Sequence, residues 1–215
     1  MNKLFGHIRG RKRSSGRIRR LPRFGKEVVI LLALILVAAT LKTCWYERLH
    51  VKTPSSILSS KWKTYSPGES QLSLSLPAEP QPVGAEIPDS DRAKIRQADR
   101  YQFALERFRV DIWNVLYADG VPTDIQQAAE GAIEGLRQSE GVTEFQDSKT
   151  LISRSGKKGM LVTGTFKRAD ETVDLHAILL GDGPKLWQVI ITHPASDQNG
   201  SVAARRILQS IEIKE

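Results

Sequence analysis

Two histidines late in the chain are the first residues whose side chains could do chemistry. His176 and His193 stand on two predicted strands separated by Gly181–Lys185, and paired imidazoles can hold a metal ion or exchange protons. If Gly181–Lys185 forms the whole loop, residue 176 lies opposite residue 190, and residue 173 lies opposite residue 193. That register places the two histidines on opposite faces of the sheet. The sequence therefore predicts no catalytic residue and no metal site.

Three other reactive patterns also lack the spacing that their chemistry needs. No serine stands in a Gly-x-Ser-x-Gly elbow. The segment Ser155–Gly159 (SGKKG) lacks the spacing of a phosphate-binding loop and is typical of a basic β-turn. Cys44 is the only cysteine, which excludes an intramolecular disulfide, and Lys42 and Thr43 before it do not form a lipoprotein signal. No cofactor is expected.

Strict alternation marks the strands in the first half of the predicted domain. Gln71–Leu76 (QLSLSL) places three leucines on one side and polar residues on the other, as in a half-buried strand. Tyr101–Ala118 is rich in aromatic and β-branched residues and predicts two strands, with a bulge near Trp113-Asn114. A helix over residues 92–106 is the alternative for the first of them.

The second half of the domain combines two helices with four further strands. Apolar residues at steps of three and four from Ile125 to Leu136 predict a helix, with Thr123 and Gln126 in capping-box spacing. Strands are predicted at Lys149–Ser153, Gly159–Arg168, Glu171–Leu180 and Leu186–His193. A last helix follows and turns inward Val202, Ala203, Ile207, Leu208 and Ile211. The fold class is therefore α+β, a mostly antiparallel sheet packed by two main helices.

The positive charge of the protein is concentrated at its N-terminus. The chain of 215 residues has a formal net charge of +8, yet residues 1–26 hold ten Lys or Arg and no Asp or Glu. The remaining residues carry slightly more acidic than basic side chains. A basic run beside an apolar segment is attracted to anionic lipid, and no aromatic residues interleave its centre for base stacking. We expect membrane contact and no nucleic acid.

An apolar run follows the basic residues directly. Val28–Leu41 contains fourteen residues without a charge, a helix of roughly 21 Å against a hydrocarbon core of ~30 Å. The run reaches an adequate length if Lys42 is tolerated and if Trp45 and Tyr46 lie at the far interface. A single transmembrane signal-anchor helix over residues 27–46 is the preferred interpretation. A cleaved signal peptide with Val37-Ala38-Ala39 at the cleavage site and a soluble core helix are the alternatives.

The positive tail orients this helix with its N-terminus in the cytoplasm and the C-terminal domain on the other side of the cell membrane. The predicted organisation is a disordered cytoplasmic tail (residues 1–26), the anchor (27–46), a linker (47–60) and the α+β domain (61–215). The residues expected within the membrane are Val28, Leu31, Leu34, Leu36 and Leu41. Those expected to contact lipid and set the topology are Arg11, Lys12, Arg13, Arg19, Arg20 and Lys26.

The order of these motifs over residues 61–213 resembles the PsbP-like fold family. The resemblance rests on the opening turn and strand (YSPGESQLSLSLPAEPQP), the aromatic strand (VDIWNVLYADG), the first helix (TDIQQAAEGAIEGL) and the last strand and helix (GDGPKLWQVIITHP, AARRILQSIEI). That family includes lumenal PsbP of photosystem II, a Ran-binding import factor and bacterial envelope proteins. None of these is an established enzyme, so the resemblance implies binding or structural support.

Two functions remain open from the sequence. The first is a membrane-anchored, non-catalytic module that presents its sheet or sheet edge to another envelope protein. The second is a small-ligand-binding or substrate-processing domain released by signal-peptide cleavage, with a site near His193, Trp113 or the Lys157-Lys158 turn. The absence of a catalytic motif favours the first.

The anchor makes a direct prediction about the native protein. We expect it to remain in the membrane fraction with an intact mass that includes residues 1–46, because the apolar run is retained as a helix. Fractionation followed by intact-mass measurement checks this. A soluble mature chain that starts near Thr40 would contradict the anchor and support cleavage.

Overall fold

The computed structural model describes residues 55–68, 70–87 and 89–214. The predicted tail and anchor, together with the interface residues Trp45 and Tyr46, lie outside the described residues. Within the described part of the chain, every helix is too short or too polar to cross a bilayer. The elements in chain order are α1 (Ser55–Ser59), β1 (Lys63–Tyr65), β2 (Leu72–Leu76), β3 (Gln81–Val83), α2 (Asp89–Arg92), β4 (Ile95–Leu105), β5 (Phe108–Tyr117), α3 (Ile125–Arg137), β6 (Val142–Arg154), β7 (Lys157–Arg168), β8 (Glu171–Asp182), β9 (Lys185–Pro194), α4 (Gln198–Ser210) and β10 (Glu212–Ile213).

Seven of the ten described strands form one large antiparallel sheet in the order β3-β4-β5-β9-β8-β7-β6. The other three form a small sheet in the order β1-β2-β10. The predicted α+β class with an antiparallel sheet is confirmed. The strands β1, β3 and β10 have two or three residues each, too few to show an alternation in the sequence.

Each face of the large sheet carries its own hydrophobic core. On the α4 face, the sheet packs against α4, α1 and the small sheet. Its buried side chains include Val110, Ile112, Ile178, Trp187, Val189 and Ile191. On the α3 face, the sheet packs against α3, and its buried side chains include Val162, Phe166, Leu175, Leu179 and Ile190. Because both faces are covered, the central strands contain continuous apolar runs.

The helices follow the predicted pattern, with two corrections. Asp124 caps α3 by accepting a hydrogen bond from the Gln127 backbone N–H at 3.0 Å, whereas the hydroxyl of Thr123 donates to the Gly183 carbonyl. The predicted capping role of Thr123 is therefore wrong. In α4, Ala203 and Ile207 are buried as expected, but Val202 is 52% exposed. Small side chains in α4 bring it close to the sheet, and Val202 falls outside the contacting stripe.

The strands also differ from the sequence prediction in three respects, and the predicted linker contains a short helix. The predicted bulge at Trp113-Asn114 is absent, because β5 pairs with both neighbours there without a shift; the described irregularity in β4–β5 lies at Ile95/Gln97. The strand predicted at Lys149–Ser153 extends over Val142–Arg154. The alternative helix over residues 92–106 is also wrong, since β4 occupies most of it. The predicted linker, residues 47–60, includes α1, whose Ile57 is buried in the core of the α4 face.

Alanine substitutions at two glycines should change the stability of the domain in opposite directions. A Cβ at Gly159 would lie 2.4 Å from the Leu179 carbonyl oxygen, which is backbone of the neighbouring strand, whereas a Cβ at Gly131 would meet nothing within 4 Å. We expect Gly159→Ala to lower the free energy of unfolding by about 1–3 kcal/mol through overpacking. Gly131→Ala should raise it by up to about 1 kcal/mol, because alanine favours a helix interior.

Denaturant unfolding of the two purified variants beside the parent chain measures both effects. Equal stability of Gly159→Ala and the parent would contradict the close approach of β7 to β8.

Candidate functional site

The hairpin of β8 and β9 brings the two histidines to one face of the sheet. Asp182 pairs with Lys185, so the loop contains only Gly183 and Pro184, and Gly183 has the positive φ of 55° that such tight hairpins give to glycine. The five-residue loop predicted from the sequence is therefore wrong. A one-residue shift of register turns every side chain of a strand to the other face, which is why the predicted separation of His176 and His193 is also wrong.

The observed register assembles a cluster of three ligand-type side chains on the α4 face. Asp174 pairs with His193, and His176 pairs with Ile191 on the same strand as His193. The ring centroids of His176 and His193 lie 5.6 Å apart. One ligand atom from each of Asp174, His176 and His193 lies within 4.8 Å of the other two. Asp174 was not recognised from the sequence, because its place beside His193 depends on the two-residue loop.

His193 is fully buried and its tautomer follows from its hydrogen bond. Its Nδ1 lies 2.9 Å from the carbonyl oxygen of Pro194. Because a carbonyl can only accept, Nδ1 carries a proton, and in the neutral ring the lone pair is then on Nε2. No described residue hydrogen-bonds this buried Nε2. Phe108 of β5 stacks on the ring at 6.0 Å between centroids and holds its orientation.

The start of α4 covers His193 at close range. A Cβ at Gly200 would lie 3.0 Å from Cγ of His193 and 2.8 Å from Oδ2 of Asp197. Glycine is the residue that permits this approach. Asp197 stands at the N-cap of α4 and makes no side-chain capping bond. Its Oδ2 and the His193 ring both lie close to Gly200.

The environment of His176 favours its neutral form. Burial lowers the pKa of His176 below its ordinary 6.5, and His193 and Arg205 lower it further, while Asp174 acts in the opposite direction. At neutral pH His176 is therefore neutral. The cluster brings its imidazole together with the imidazole of His193 and the carboxyl group of Asp174. Such a donor set can coordinate a cation or exchange a proton.

The other two predicted sites, Trp113 and the Lys157-Lys158 turn, lie apart from this cluster. Trp113 lies on the α3 face, where Arg100 covers its ring at 5.0 Å and forms an ion pair of 2.6 Å with Asp111. Ser155 and Gly156 form the β6–β7 turn with positive φ at both residues. The turn predicted over Ser155–Gly159 is therefore shorter, because Lys157, Lys158 and Gly159 belong to β7. Lys157 beside the turn pairs with Asp182 at 2.6 Å, so its charge is partly compensated.

A second feature lies at the edge of the large sheet. β6 is the last strand in the sheet order and pairs only with β7 among the described strands. From Gln146 to Arg154 that pairing runs without a register shift. Leu151, in the middle of this stretch, is 79% exposed. The edge is therefore long and regular, and it exposes a leucine near its centre.

An open cleft of about 450 Å³ lies between the start of α4 and the β4–β5 turn. Its lining includes Arg107, Phe108 and Asp197. Phe108 also stacks on His193, so this side chain contacts both the cleft and the histidine cluster.

No protein-family model matches the sequence, and no curated protein matches it. Solved structures are similar in fold. The solution structure of cyanobacterial PsbP (CyanoP) from Synechocystis sp. PCC 6803 has a TM-score of 0.49 and 10% identity, covering 72% of this chain and 93% of that one. LpqN of Mycobacterium tuberculosis, described as involved in cell envelope biogenesis, has a TM-score of 0.40 and 14% identity, with 77% and 99% covered.

A third similar structure is PA94 of Pseudomonas aeruginosa, a protein of unknown function described as a putative regulator. Its TM-score is 0.38 and its identity 12%, with 70% of this chain and 94% of that one covered. A PsbP protein, the family that the sequence resembles, is thus among the similar solved structures. At these identities and TM-scores the similarity concerns the fold, and no activity or partner is transferred with it.

The lowered pKa of His176 predicts a pH dependence of stability. Between that pKa and 6.5 the unfolded chain binds more protons than the folded chain. The free energy of unfolding should therefore fall as the pH drops from about 7 to about 5, and His176→Gln should make this decline shallower. Denaturant unfolding across that range, with a chelator present, measures it. An equally steep decline in the variant would contradict the neutral His176.

Proposed function

We propose that this protein is a single-pass module of the cell membrane whose extracytoplasmic domain binds another envelope protein and catalyses no reaction. Residues 27–46 would be the anchor and residues 1–26 its cytoplasmic tail. The observation that carries the proposal is the outer edge of β6. An exposed edge strand presents unpaired backbone N–H and C=O groups to an incoming strand, and strand addition is a recurrent mode of protein recognition.

Several charged side chains of β6 have partners within the domain. Glu144 pairs with Lys167 at 2.8 Å, and Asp147 lies 3.4 Å from Arg137 and 3.3 Å from Lys149. Their partners are on β7, α3 and β6 itself, so these charges are partly compensated within the domain. The neighbouring Thr150-Leu151-Ile152 carries no charge. An extended segment with an apolar residue opposite Leu151 is the ligand that suits this edge.

A small-ligand or substrate-processing domain is the second candidate. The open cleft beside the start of α4 favours it, because Arg107, Asp197 and Asn199 place charged and amide groups around one space. The two candidates differ in location, since β6 lies at the far edge of the sheet from β4 and β5. Their variants can therefore be separated.

We expect the substitution Leu151→Glu to abolish partner binding without loss of stability, because the side chain is already exposed and contributes little to the core. A photo-crosslinking residue at position 151 of the intact anchored protein should give a crosslinked species with one envelope protein. Competition by an added excess of unlabelled parent protein should remove that species.

Val202 supplies the matched control, as an exposed hydrophobic residue on α4. Val202→Glu and a crosslinker at position 202 should leave the interaction unchanged and give no such species. Crosslinking of equal yield at both positions, or no specific species at position 151, would refute binding through β6.

A further inference from the structure

We propose that Asp174, His176 and His193 bind one divalent transition-metal ion, and that zinc is the ion their donor set fits best. This site would be separate from the protein-binding edge of β6, because β7 lies between β6 and β8. The inference therefore does not rest on the proposed function.

The donor atoms point to the class of ion. Two imidazole nitrogens and one carboxylate oxygen are a common zinc ligand set, and three protein ligands leave a fourth position for water. Calcium and magnesium prefer sites made of oxygen atoms alone. Imidazole ligands instead select zinc and its transition-metal neighbours.

The distances agree with a site that closes slightly on the ion. The three ligand atoms lie within 4.8 Å of one another, whereas tetrahedral zinc with bonds of about 2.1 Å holds its ligand atoms about 3.4 Å apart. Side-chain rotations that bring the atoms up to about 1.4 Å closer complete the geometry. Asp174 and His176 are only partly buried, so both can make this adjustment.

His193 has the features of a ligand that is oriented before the metal arrives. Metal-binding histidines commonly donate the other ring N–H to a carbonyl or carboxylate, which fixes the tautomer and the ring plane. Here the Pro194 carbonyl accepts from Nδ1 at 2.9 Å, and Phe108 stacks on the ring. The remaining nitrogen, Nε2, therefore presents its lone pair in a fixed direction.

The Nε2 atom of His193 is buried and has no hydrogen-bond partner among the described residues. The residue itself is 0% exposed. Buried polar atoms without a partner are rare and call for an explanation such as an ion or a water. A metal ion shared with His176 and Asp174 would satisfy it.

The surrounding charges are compatible with a cation. From α4, Arg205 is the positive group that acts on His176, and it is exposed, so solvent screens its repulsion. Asp197, the N-cap residue of the same helix, has its carboxylate close to Gly200, and the His193 ring is also close to Gly200. Asp174 contributes the negative charge within the cluster. The carboxylates of Asp174 and Asp197 therefore attract a bound cation, and the repulsion from Arg205 is weakened by solvent.

Zinc binding by the full-length protein in detergent tests the site. The starting variant carries His7→Gln, Cys44→Ser and His50→Gln, which removes the histidines and the thiol that lie outside the domain. Calorimetric titration with zinc chloride should give one equivalent bound per chain. Zinc should also raise the unfolding temperature, since an ion that binds only the folded state stabilises it.

Asp174→Asn and His176→Gln, each added to that variant, should weaken zinc binding at least about tenfold and remove most of the rise in unfolding temperature. Both positions are partly exposed, so the variants should fold, and circular dichroism confirms this. Asp170→Asn, on the β7–β8 turn, is the matched control and should bind zinc unchanged. An absence of zinc binding in the starting variant, or undiminished binding in both ligand variants, would overturn the proposal.

Discussion

The pairing register of β8 and β9 is the constraint on which the rest of this domain depends. The two strands lie inside a sheet that is covered on both faces, so each side chain must enter either the core beside α4 or the core beside α3. The loop of Gly183 and Pro184 determines that assignment, because it leaves no freedom for the strands to slip. A shift of one residue would send Ile178 and Leu180 to α3 and would bring the wrong side chains to α4.

The same register places polar groups where an apolar core ends. Along β9 the α4 face carries Trp187, Val189 and Ile191 before it reaches His193. Opposite them, β8 changes from Leu180 and Ile178 to His176 and Asp174. The hairpin is therefore apolar near its loop and becomes ligand-rich toward its open end, where α4 begins. The covering helix can approach this end because Gly200 has no side chain.

The β6 edge and the histidine cluster would bind their ligands through different kinds of groups. The edge of β6 offers backbone hydrogen-bonding groups and one exposed leucine, and its contribution to the hydrophobic core is small. The histidine cluster offers a buried lone pair whose direction is fixed by Pro194 and Phe108. Substitutions at the edge can change recognition while leaving the core intact. His193, by contrast, belongs to both the core and the site, so its packing and its chemistry cannot be changed separately.

The sequence by itself determined the local elements and the class of fold. Alternation in Gln71–Leu76, the apolar stripe from Ile125 to Leu136 and the runs on β7, β8 and β9 specify strands and helices, because burial imposes a period of two or of 3.6 on the chain. These patterns did not determine the candidate site at His176 and His193. Whether His176 faces His193 depends on the number of residues in one loop, and both readings of Gly181–Lys185 preserve the same alternation within each strand. The length of β6 and the exposure of Val202 also followed from contacts with distant elements. Tertiary structure alone decided them, because periodicity defines the two faces of an element, while register and packing decide what each face meets.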